Sequence, residues 1–102
     1  MTQEFTHNTS LCDILNIRYP IIMAPMFLIS NANMLIEAIN SGITGCVPAH
    51  NYRTDSQFRN AIEMIRKKAT GPIGVNLIVN KSNIKFKQQL KSCLELKIDY
   101  II

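Results

Sequence analysis

Four short apolar runs, each bounded by turn residues, recur along the chain: "IIMAPM" from Ile21, "ITGCV" from Ile43, "IGVNLIV" from Ile73 and "IDYII" from Ile98. None alternates strictly between apolar and polar residues as a half-solvated strand does, so each is predicted to be a strand covered on both faces. This pattern restricts the chain to folds in which helices shield a parallel sheet.

The intervening segments carry the helical period. Residues 31–41 place Leu35, Ala38 and Ile39 on one face, with Ser30 or Asn31 as the cap and Gly42 placed to end the helix. Thr54 and Gln57 form a capping-box pattern ahead of the stripe Phe58, Ala61, Ile62 and Ile65, and Gly71 and Pro72 close that segment. A third helix is predicted to begin near Ser82 or Asn83 and to present Phe86, Leu90, Cys93 and Leu94. A short turn over residues 11–15 precedes the first strand.

Strands and helices alternating in this way predict a parallel α/β chain with right-handed crossovers. Helices on one face would make it the N-terminal half of a (β/α)8 TIM barrel, about four parallel strands with three intervening helices; helices on both faces would make it doubly wound. The polar start, residues 1–10, reads as a flexible tail, and residues 11–102 as the barrel part. The final "YII" stops in mid-strand, so the chain is expected to be truncated and to offer a strand edge for self-association.

Among 102 residues, 47% are hydrophobic and 18% charged, which argues against disorder. The net charge of +4 comes from lysines spaced along amphipathic segments, with no aromatic platform beside them, so nucleic-acid binding is not expected. Three widely separated cysteines, Cys12, Cys46 and Cys93, fit neither a disulfide scaffold nor a zinc site and are expected to be reduced and mostly buried. The longest apolar run, residues 19–29, is interrupted by proline and too short to span a bilayer; no membrane contact and a cytoplasmic location are expected.

Ligands of parallel α/β folds meet the carboxyl ends of the strands, here "APMF", "PAHNYR" and "NLIVNK". Pro25 has no N–H, and Met26 supplies a polarizable side chain suited to a flat ring; the alternative is that Pro25 ends the strand and Met26 fills core. Asn76, an amide inside an apolar run, needs partners, either a heterocycle edge or neighbouring strand-end backbone. Gly74 shares its face and leaves room for close approach. His50 has the chemistry of a general base and Arg53 that of an anion contact, but no carboxylate partner for His50 is visible, and a surface position is the expectation. No glycine-rich phosphate fingerprint, metal-ligand spacing or catalytic triad is present.

Taken together, "YPIIMAPM", "SGITG", "ATGP", "IGVNLIV" and "LKIDYII" in this order and spacing resemble the N-terminal part of the nitronate monooxygenase family, formerly called 2-nitropropane dioxygenases. The resemblance covers residue 11 to the end. It implies an FMN-dependent (β/α)8 barrel that oxidises alkyl nitronates with dioxygen to a carbonyl compound and nitrite. It further implies that the backbone around Ala24, Pro25 and Met26 lines the flavin ring and that Asn76 hydrogen-bonds to it. The family's "AGGLG" reads "SGITG" here, which keeps Gly42 and Gly45 but loses the middle glycine. The family's catalytic histidine and phosphate loops belong to the later half of the barrel, so no catalytic residue is assigned and this chain by itself is expected to be inactive. Two rivals remain: a flavin-type enoyl-acyl carrier protein reductase, which shares these motifs, and a noncatalytic α/β module that associates through its last strand.

Overall fold

A computed structural model describes residues 10–102. The elements are α1 (Ser10–Leu15), β1 (Ile22–Met23), α2 (Ala32–Asn40), β2 (Thr44–Pro48), a 3₁₀ turn (Ala49–Asn51), α3 (Asp55–Lys68), β3 (Gly74–Asn76), α4 (Phe86–Glu95) and β4 (Tyr100–Ile101). The tail expected over residues 1–10 lies outside the described residues except for Ser10, which opens α1.

The strands are parallel and lie in chain order, β1-β2-β3-β4. A doubly wound sheet reverses its strand order at a switch point; a barrel does not. The helices agree with the barrel, because α2, α3 and α4 pack on one face. Leu35 and Ile39 from α2, Phe58, Ile62 and Ile65 from α3, and Cys93 from α4 form one buried cluster with Val47, Ile73, Val75 and Leu77 of the sheet. Fully burying an aliphatic side chain of this size contributes about 1.5–3 kcal/mol, so this cluster is the main source of stability.

Local signals place the helix ends. Asn31 is the N-cap of α2, its side chain accepting from the Met34 amide at 2.9 Å. Gly42 follows the end of α2 at φ +92°, a conformation side chains resist. Thr54 caps α3 by accepting from the Gln57 amide at 3.1 Å, and Gln57 Oε1 reaches back to the Arg53 amide rather than to that of Thr54.

Two expectations are revised. The fourth helix begins at Phe86, later than Ser82 or Asn83, because Asn83 spends its side chain on the preceding turn, accepting from the Lys85 amide at 3.0 Å. Leu94 is 69% exposed, and Gln89 and Ser92 take the buried face with Cys93, since both find polar partners there. All three cysteines are buried and unbridged. Among the described residues no helix is long and apolar enough to cross a membrane.

Candidate functional site

The first three strands release their chains toward one cleft of about 360 Å³, lined by Pro25 and Phe27 after β1, Pro48 and His50 after β2, and Asn76 and Ile78 around the end of β3. Pro48 and Asn76 share the sheet face of Cys46 and Gly74, whereas β1 has already ended at Met23, and the loop that follows it brings Pro25 and Phe27 to the cleft. The register confirms the level: Pro48 pairs with Asn76.

Beneath the cleft the sheet is sealed. Cys46 pairs with Gly74 and Gly74 with Tyr100, and a Cβ at Gly74 would collide with the Tyr100 ring and with Cys46 Sγ. The room left by Gly74 therefore receives Tyr100 and not a ligand. The Tyr100 hydroxyl reaches Thr44 Oγ1 at 2.9 Å and the Gly45 carbonyl at 3.0 Å. Burial pushes the Tyr100 hydroxyl and the Cys46 thiol above their ordinary titration ranges, so the floor carries no charge at neutral pH.

The loop after β1 is built around Ser30, which is fully buried. Its hydroxyl donates to the Ala24 carbonyl at 2.5 Å and accepts from the Met26 amide at 2.9 Å. Asn51 closes the loop from the 3₁₀ turn, donating to the Ser30 carbonyl at 2.8 Å and accepting from the Leu28 amide at 2.7 Å. Leu28 sits at φ +62°, a conformation costing a leucine on the order of 1 kcal/mol and held by that Asn51 bond. The Ala24 carbonyl and the Met26 amide of this loop both bond to the Ser30 hydroxyl. Pro25 keeps a wall of the cleft, and Met26, Phe27, Leu28 and Ile29 remain exposed at 46–65%.

Asn76 donates from Nδ2 to the Ile102 carbonyl at 3.1 Å, and its Oδ1 has no partner among the described residues. One half of the amide therefore serves neighbouring strand-end backbone and the other is open beside the cleft. His50 also lines the cleft, with Nδ1 3.2 Å from Gln89 Nε2. Arg53 stands apart from this cleft, its backbone carbonyl accepting from Lys85 Nζ at 2.9 Å.

Sequence reasoning missed Ser30, Asn51, Gln89 and Pro48. Ser30 had a visible signal as a capping candidate; with Asn31 as the cap, the serine is free to organise the loop behind it. Gln89 and Asn51 gave none, because polar residues on a helix or turn read as solvated until the fold shows what they meet.

An FMN ring finds matching features here: proline and aromatic walls, an unpaired amide oxygen able to accept an imide N–H, and an uncharged floor. Comparisons with known proteins identify the family and the fold. Residues 8–100 match the family described as Nitronate monooxygenase. Over 73 residues the chain is 36% identical to a probable nitronate monooxygenase of Staphylococcus haemolyticus (strain JCSC1435), covering 72% of this chain and 20% of that protein. The structure of FabK from Thermotoga maritima, a TIM barrel, superposes with a TM-score of 0.79 at 26% identity over 89% of this chain and 28% of FabK. The chain thus spans about a fifth of its curated relative and supplies four consecutive strands of the barrel. It belongs to the nitronate monooxygenase family, a family of flavin-dependent oxidoreductases.

Proposed function

We propose that the chain forms the N-terminal wall of an FMN site in an enzyme that oxidises alkyl nitronates with dioxygen, giving a carbonyl compound and nitrite. Pro25 and Asn76 line the ring, with the backbone at Ala24 and the side chain of Met26 beside it. The observation that carries this reading is the unpaired Asn76 Oδ1 at a cleft to which three strand ends contribute. When bound, FMN supplies reversible electron transfer; this chain contributes the fit and orientation of ring and substrate.

The test is flavin absorbance after incubation with FMN and desalting, on the chain alone and on the chain extended to the length of its relatives. A retained band that weakens about tenfold in affinity with Asn76→Ala, the loss of roughly one hydrogen bond to the ligand, supports the proposal. No band on either protein overturns it, and a colourless oligomer would favour a noncatalytic module associating through β4.

The likeness to FabK supports a second reading, a flavin-type enoyl-acyl carrier protein reductase. Oxygen consumption with a nitronate separates the first from NAD(P)H consumption with an enoyl thioester.

A further inference from the structure

His50 lies in the cleft with a chain of amides behind it whose polarity is fixed from the backbone. The Lys85 amide donates to Asn83 Oδ1 at 3.0 Å, and Asn83 Nδ2 donates to the Ile78 carbonyl at 2.7 Å. Turning the Asn83 amide over would set oxygen against oxygen and N–H against N–H, so its orientation is settled. The second proton of Asn83 Nδ2 goes to Gln89 Oε1 at 3.0 Å. That leaves Gln89 Nε2, a donor, facing His50 Nδ1 at 3.2 Å. A nitrogen receiving an N–H bond must hold its lone pair there, and a neutral imidazole has one N–H, which is then on Nε2. Gln89 is 7% exposed, so this bond lies largely out of bulk water.

We propose that His50 is a fixed hydrogen-bond donor to a ligand oxygen in the cleft, its ring held as the Nε2–H tautomer by Gln89 and Asn83. The role is opposite to the general base that a loop histidine invites: the lone pair is held against Gln89, which does not line the cleft, and the N–H is the ring group left to meet a ligand. The acceptor class is an oxygen of a flat, electron-rich group, such as a nitronate or a carbonyl. This assignment of an acceptor rests on the cleft being the ligand site proposed above; the tautomer does not. Gln89 and Asn83 are positioning residues that act through the ring.

The experiment is long-range proton–nitrogen correlation NMR on protein with isotope-labelled histidine, at a pH where the rings are neutral. Only two histidines are present, and His7→Gln assigns them. His50 is expected to favour Nε2–H by roughly tenfold, the ratio set by one hydrogen bond of ordinary net strength. Gln89→Glu, which places an acceptor against Nδ1, is expected to reverse the preference. Gln89→Met, which removes the bond and keeps the bulk, is expected to give a mixture. A mixed population in the unaltered protein, or a preference that ignores both substitutions, overturns the proposal. Propane-2-nitronate is then added with and without FMN, and the Nε2–H resonance is followed. Movement in either titration supports the donor role, and an unmoved resonance in both overturns it. Failure to retain FMN counts separately, against the flavin reading, because the tautomer and the nitronate titration are measured without it.

Discussion

At the scale of single residues, Ser30 carries more structure than its size implies. It is fully buried, and its one hydroxyl satisfies both a carbonyl and an amide of the loop after β1. Ser30→Ala leaves the Ala24 carbonyl and the Met26 amide without that partner, a loss on the order of 1–3 kcal/mol. We expect urea unfolding to show a lower midpoint of that size with an unchanged slope. Pro25 meets the same loop from the other side. Its sequence position suggested a strand stopped where a ligand edge lies, and β1 does end at Met23, two residues earlier. The interruption is therefore the work of Ser30 and Asn51 as well as of the proline, and that part was not legible, because neither residue belongs to the apolar pattern that revealed the strand.

At the scale of elements, α3 and α4 are tied by a polar cluster that runs from the buried Ser92 to the half-exposed Glu95. Arg59 pairs with Asp55 at 2.7 Å and with Glu95 at 2.5 Å, and the Ser92 hydroxyl donates to Asp55. The Ser92 bond is the main cause, with Arg59 following, that holds the Asp55 carboxyl below its ordinary value of 3.8. A carboxylate depressed in the folded state contributes stability that is full above the unfolded value and is lost as pH falls through the folded one. We expect the acid limb of a stability–pH profile to flatten in Asp55→Asn, with a small loss near neutral pH, since the side chain is 34% exposed. The period of α3 was readable because its apolar stripe is regular. That of α4 was read one position wrong at Leu94, because Gln89 and Ser92 are buried through partners on other elements, and a hydropathy pattern does not register such bonds.

At the scale of the molecule, the three cysteines report on its cooperativity. Cys12 lies in α1, Cys46 in β2 and Cys93 in α4, and all are buried. Burial pushes the Cys93 thiol up to about 11 and raises that of Cys46, which removes the reactive thiolate at neutral pH. Under mildly destabilising conditions, labelling with a thiol reagent is expected to proceed at one common rate for all three. A site that reacts earlier would identify an element of the fold that opens by itself. The order of elements and the helix-facing core were legible in the sequence because period and turn residues are local. The cleft was legible only in outline: its walls were named through Pro25 and Asn76, while the side chains that set its shape come from residues far apart in the chain.

Asn51 and Ser30 hold the loop after β1 in place before any ligand arrives. Under the proposed reading, the ring meets this one wall already formed, so the loss of loop entropy falls on folding and not on binding. On that reading, loosening Asn51 moves loop entropy back onto the binding step and weakens the retention of FMN.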